Sequence, residues 1–234
     1  LVEDGGTLNS LGNTYIEDTG GGSGVRSNAL LRRGGMANIY GNLYVKTAGA
    51  LNARALIVQG NNSGPSSKLY VQGDLYAFRS GWGGASTVEV ESGASLLVDG
   101  KAYFHTDSFE LTHVFRQYGT SVFAGDLDLV SEGGPASVDG IRPVLLNSGS
   151  LSVGGTLTVQ AEGTVGIKQR IQAANNALAQ ENKIVAKRLK ITTTENPGGG
   201  LVSAEAADAY YLEGGGGVGS FGETEIKSAG RGIV

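Results

Sequence analysis

Apolar residues alternate with polar ones in short runs, and the runs come in pairs around a glycine. The unit reads apolar, x, apolar, x, Gly, x, apolar, x, apolar. It appears as LYVQGDLYA (Leu69 to Ala77), LLVDGKAYF (Leu96 to Phe104) and LSVGGTLTV (Leu151 to Val159). Looser copies are SVFAGDLDLV (Ser121 to Val130) and IYGNLYV (Ile39 to Val45). Two more carry alanine where the glycine stands, LNARALIV (Leu51 to Val58) and IVAKRLKI (Ile184 to Ile191).

Period-two alternation is the mark of a half-buried strand. Each unit therefore reads as two short strands meeting at a corner. Leu69, Val71, Leu75 and Ala77 point inward, with Tyr70 and Tyr76 outward. The corner glycine is expected to supply a positive φ without a Cβ penalty. One unit cannot bury its apolar side alone, whereas stacked copies can, with hydrogen bonds running from coil to coil.

The second-strand anchors are Leu43, Leu56, Leu75, Ala102, Leu127, Leu157 and Leu189, spaced 13 to 32 residues apart. Such variable spacing suits an all-β, single-stranded parallel β-helix of irregular coils. The rival is an antiparallel sandwich with glycine turns. Residues 37–195 make the solenoid, 1–36 a lead or cap, and 196–234 a glycine-rich tail holding an assembly strand.

One stretch breaks the pattern. In VGIKQRIQAANNALAQEN, Ile171, Leu178 and Val185 fall seven apart, which predicts a helix near 167–182 lying on the solenoid or capping it.

Composition agrees with many turns. Glycine supplies 40 of 234 residues, about 17% against a usual share of roughly 7%. Net charge is −4 with no basic block, which argues against a nucleic-acid partner. With no cysteine, disulfides and thiolate metal sites are excluded. No apolar run is long enough to span a membrane. The chain starts at Leu1 rather than at methionine, so it reads as processed or cut from a longer protein.

Chemical motifs are sparse. GVGSFG (Gly217 to Gly222) matches G-x-G-x-x-G, but too little chain follows for a βαβ unit. His105 and His113 are the only histidines, and HTDSFELTH reads better as a solvated loop than as a zinc site. Asp126 with Asp128, and Glu89 with Glu91, sit two apart and read as outward charge pairs on a soluble face. No catalytic, cofactor or metal residue is assigned.

The informative outward feature is aromatic. Tyr44, Tyr76 and Tyr103 hold one place in their units, with Ile57 at the matching place between the first two. Tyr70, Leu97 and Val122 form a second outward set. Outward positions facing only water ought to be polar, so these columns mark a contact surface. Trp82, in a glycine loop, is a further contact candidate. Stacking on a surface glycan is one use, and covering by the chain itself is another.

The copies KLYVQGDLYA and GSLSVGGTLTVQAEG resemble repeats of β-solenoid surface proteins: autotransporter passengers, filamentous adhesins and phage tail or tailspike segments. The resemblance covers about residues 37 to 195. It implies a rigid rod outside the cell or on a virion, and it carries over no catalytic residue. The functional expectation is a non-catalytic fibre subunit that self-associates through its ends into a homo-oligomer or filament. Phe221, Ile226, Ile233 and Val234 are the assembly-strand candidates. The alternatives are a glycan-binding adhesin and, behind it, a polysaccharide-cleaving enzyme using Asp126 and Asp128.

Overall fold

The computed structural model describes residues 1–18, 27–48, 54–61, 64–81, 86–107, 113–132, 145–147, 149–162, 170–172, 183–194, 211–213, 217–220 and 224–227. Every strand pair in it is parallel, and no helix occurs among the described residues. The molecule is a parallel β-solenoid. Its coils are three-sided, so each contributes a strand to each of three faces.

The first face holds β1 (Thr7–Ser10), β4 (Met36–Ile39), β7 (Lys68–Val71), β10 (Ser95–Val98) and β13 (Thr120–Phe123). The second holds β2 (Thr14–Asp18), β5 (Leu43–Ala48), β8 (Leu75–Ser80), β11 (Ala102–Thr106) and β14 (Leu127–Ser131). Two long strands, β16 (Ser150–Glu162) and β18 (Lys183–Thr194), run through the corner and serve both faces. They are followed by β20 (Gly217–Ser220) on the first face and β21 (Thr224–Lys227) on the second. The third face is a separate seven-stranded sheet: β3 (Ser27–Leu31), β6 (Arg54–Val58), β9 (Ser86–Val90), β12 (His113–Gln117), β15 (Leu145–Asn147), β17 (Arg170–Gln172) and β19 (Tyr211–Glu213).

The inward columns are those the alternation predicts. Leu69, Val71, Leu75 and Ala77 are all buried, and Leu75, Leu127 and Leu157 lie in one parallel register without solvent exposure. The antiparallel sandwich is therefore excluded. Strands β1, β2 and β3, within residues 1–36, pair in parallel with β4, β5 and β6.

Three expectations change. First, LNARALIV is not a copy of the two-strand unit. Arg54–Val58 is a third-face strand in which Leu56 pairs with Ala29 and Val88. Leu56 and Val58 are fully buried, but Ala55 and Ile57 between them are buried as well, so the strand does not show the one-sided burial that its alternation suggested. Without Leu56, the second-face spacing narrows to one coil per step.

Second, the corner glycines are not there for positive φ. Among described residues, positive φ at glycine falls on Gly5, Gly34, Gly81 and Gly93, away from the corner that joins the first two faces. At Gly41, Gly73, Gly100 and Gly125 the constraint is the coil beneath. A Cβ on Gly41 would lie 2.5 Å from the Gly12 carbonyl carbon, and one on Gly125 would lie 2.5 Å from the Gly100 carbonyl oxygen.

Third, Arg170–Gln172 is strand β17, paired with Leu146 and Asn147 on one side and with β19 on the other, so no helix spans 167–182. The heptad spacing of Ile171 coincided with a strand. The rest of that segment lies outside the described residues.

Candidate functional site

The corner after the first face carries a side-chain ladder. The Asn42 N–H donates to Asn13 Oδ1 (2.9 Å), the Asp74 N–H to Asn42 Oδ1 (2.8 Å) and the Lys101 N–H to Asp74 Oδ1 (2.8 Å). Further along, the Thr156 N–H donates to Asp126 Oδ1 (2.9 Å). Each Gly-Asn or Gly-Asp pair thus satisfies a backbone donor of the next coil with its own side chain. This bond is the main reason the Asp126 carboxyl sits below its usual range, with Lys101 Nζ (3.4 Å) helping.

Asp126 is thereby a corner staple. Asp128 lies one residue into β14, in register with Tyr103. Glu89 departs from its reading as an outward soluble charge. It is buried on β9, ion-paired to Arg54, and accepts a hydrogen bond from Ser86 Oγ (3.2 Å). Burial also raises the Glu91 carboxyl.

The tyrosine column is real, but its membership differs. Tyr15, Tyr44, Tyr76 and Tyr103 are consecutive partners across β2, β5, β8 and β11. Ile57 is on the third face, between Leu30 and Glu89, so it does not interrupt the column. Tyr15 was missed at the sequence level because TYIED lacks the preceding apolar half of the unit.

The rings of Tyr15, Tyr44 and Tyr76 stack with centroids 4.7 and 4.8 Å apart and planes 4° from parallel. That interval is the spacing of neighbouring strands, about 4.7–4.9 Å. Identical rings in parallel register therefore stack without leaving their rotamers. The Tyr76 hydroxyl donates to Asp74 Oδ2 (3.1 Å), and burial followed by this bond raises its pKa. Tyr103 leaves the stack and its ring lies 5.9 Å from His105.

Beside the stack runs a groove of about 240 Å³, lined by Tyr15, Tyr44, Tyr76, Lys46, Glu17 and Phe78. Glu17 and Lys46 form an ion pair across it (3.0 Å). The second outward set stands as expected, with Tyr70, Leu97 and Val122 in one register. The Tyr70 hydroxyl donates to Asp99 Oδ2 (2.6 Å), and Leu97 and Val122 are exposed. Trp82, Phe221, Ile233 and Val234 lie outside the described residues. Ile226 is in β21, paired with Ile191 of β18 in the same chain.

The histidines are separated onto different faces. His105, on β11, has Nε2 3.0 Å from Glu132 Oε2. His113, on β12, accepts a bond at Nδ1 from Arg116 Nε (3.2 Å), and burial with the nearby guanidinium pushes its pKa down to about 3. Among the described residues no three His, Asp or Glu converge as metal ligands. Gly217–Ser220, from the G-x-G-x-x-G match, is strand β20 rather than a phosphate loop. No described helix is long and apolar enough to cross a membrane.

The most exposed apolar surface lies at the N-terminal end of the stack. Leu8 heads the inward column that continues through Ala37, Leu69 and Leu96, yet it is 42% exposed while those three are buried. Tyr15 is 70% exposed and stacks on Tyr44 alone among the described residues. A hollow of about 60 Å³ opens there among Leu8, Ile16, Ala29, Leu31 and Ile39. The edges of β1 and β2 toward this end have no described strand against them.

These features define a parallel β-solenoid with an aromatic face. No family model matches the chain, and no curated protein or solved structure is similar to it. The likeness to adhesin and tail repeats is accordingly supported at the level of the β-solenoid alone.

Proposed function

We propose that the chain is a non-catalytic structural subunit that self-associates end to end into a fibre, at an extracellular, cell-surface or virion location. The observation that carries this reading is the exposed head of the first-face column, where Leu8 is 42% exposed beside edges of β1 and β2 that no other described strand covers. Such edges template the addition of another strand. A contact between two different ends does not close on itself, so it generates a filament.

Two site observations weigh against the other readings. A glycan would stack on free aromatic faces, and within the stack both faces of Tyr44 are occupied, which leaves one face each of Tyr15 and Tyr76. A carboxylate pair for polysaccharide cleavage needs two uncommitted acids, and Asp126 is held by the Thr156 N–H and Lys101.

Negative-stain microscopy and sedimentation across a concentration series test the proposal. Lengthening rods or filaments are expected, and deletion of Phe221 to Val234, which removes β21, abolishes them while the β-rich circular dichroism persists. Single short particles at every concentration would overturn it.

A further inference from the structure

The outward side of the first face is apolar where a water-facing sheet ought to be charged. Met36, Tyr40, Leu97 and Val122 all stand on it and are between 38% and 45% exposed. Tyr70 joins them, its ring edge-on to Tyr40 and its hydroxyl bonded to Asp99. The positions between are small or uncharged: Asn38, Gln72, Ser95, Thr120, Ala124, Ser150 and Ser152. From β1 through the first-face half of β16 the outward positions carry one cation, Lys68, and one anion, Asp99. Depletion of charge around exposed aromatic and aliphatic side chains is the composition of an interface core.

The size of the face is adequate for a stable contact. Strands β1, β4, β7, β10, β13, β16 and β18 lie side by side across it. At about 3.3 Å per residue and 4.8 Å per strand, a strip five residues wide measures about 17 by 34 Å. Two such strips cover about 1,100 Å² counted flat, above the roughly 1,000 Å² that a specific interface needs. Small side chains among the larger ones let a second sheet approach to the usual spacing of about 10 Å.

The two charges choose the partner and its orientation. Lys68 opens β7, and Asp99 follows the last residue of β10, so cation and anion lie on opposite edges of the face. A two-fold axis running along the rod exchanges those edges. It brings each Lys68 toward the second copy's Asp99, one coil away, or about 4.8 Å along the axis. A two-fold along the strands would instead lay the cation edge over the cation edge. We infer that two copies of this chain pair side by side, first face on first face, about a two-fold axis parallel to the rod, so that both rods run in the same direction. Such an isologous contact closes at two. It goes beyond the end-to-end reading and needs neither end of the stack.

The middle outward column, Asn38, Tyr70, Leu97, Val122 and Ser152, then lies on the axis, each residue opposite itself. The chain has no cysteine, so single introduced cysteines report the arrangement. Asn38→Cys and Ser152→Cys, four coils apart, should each cross-link to themselves with a short bis-maleimide, whereas Asp128→Cys on the second face should not. Rods paired in opposite directions would give neither self-product but a cross-product in a mixture of the two variants, and would overturn the proposal. By sedimentation, Leu97→Lys should raise the dimer dissociation constant about tenfold or more, because it sets two ammonium groups face to face. Monomer unfolding should change little, since Leu97 is exposed. Lys68→Asp should raise the constant about two- to fivefold, and adding Asp99→Lys in the same chain should recover it. Closed dimers without filaments would support this pairing and remove the end-to-end reading. Filaments one rod wide, with no self-product at residue 38 or 152, would leave the end-to-end reading and overturn this one.

Discussion

Interior coils and the first coil are built from the same unit, yet they differ in what the unit achieves. Gly12-Asn13 begins the corner ladder as Gly41-Asn42 and Gly73-Asp74 continue it. In the interior the glycine is compulsory, because a Cβ at Gly73 or Gly100 would lie within 3.0 Å of the coil below. At Gly12 the same residue has open space. Leu96 and Leu8 share an inward column, and only Leu96 is fully buried. The sequence unit therefore specifies a direction, and the neighbouring coil supplies the burial. That is the energetics of a repeat array, in which stability resides largely between units.

Truncation along that one column gives the largest test. Leu96→Ala should cost about 2–5 kcal/mol, the range for a buried leucine that leaves a cavity. Leu8→Ala, measured at a concentration where the chain is monomeric, should cost under about 1 kcal/mol because much of its surface is already wet. Denaturant unfolding of the two variants against wild type measures both. Equal costs would mean that the end of the stack is covered in solution and that the two regions do not differ.

This contrast also explains what was legible in advance. Alternation at Leu69, Val71, Leu75 and Ala77 is dictated by the strand backbone itself, so the buried set could be read directly. So could the outward positions of Tyr44, Tyr76 and Tyr70. The third face was not legible in the same way. Strands such as β6 and β9 are buried on both sides, with Ala55, Ile57, Thr87 and Glu89 covered as well as Leu56 and Val88. A doubly covered strand loses the apolar–polar contrast on which the pattern depends.

Membership of the tyrosine column failed for the same reason, since Ile57 was assigned to a face it does not occupy. The glycines were found but their cause was misread. Close approach between coils involves residues 25 to 32 positions apart, and no local pattern encodes it.

A middle-sized effect tests whether interior coils can hold an ionisable group dry. His113 is neutral in the folded chain down to about pH 3, whereas unfolding returns it to about 6.5. Between those values the unfolded chain binds more protons, so stability falls as pH falls. The expected loss from this group is about 1.4 kcal/mol for each pH unit below 6.5. Replacing it by glutamine keeps a polar acceptor near Arg116 and should flatten that segment of the stability curve. A histidine titrating near 6.5 in the folded chain by NMR would place it in water instead.

The smallest effect returns to the end coil and uses the aromatic stack. Tyr44 is stacked on two rings and Tyr15 on one. A stacked aromatic pair contributes about 0.5–1.5 kcal/mol beyond its burial, and exposed rings fall at the low end. Tyr44→Leu should therefore cost the monomer about 1 kcal/mol and Tyr15→Leu about half that. Near-ultraviolet circular dichroism gives a second reading, because parallel rings this close couple their transitions. Tyr44→Leu should remove the coupled signal and Tyr15→Leu only reduce it, since Tyr44 and Tyr76 remain stacked. Loss of the whole signal on changing Tyr15 would mean that the order of the column depends on its exposed end. The first coil would then be the anchor of the stack, and the interior would take its order from it.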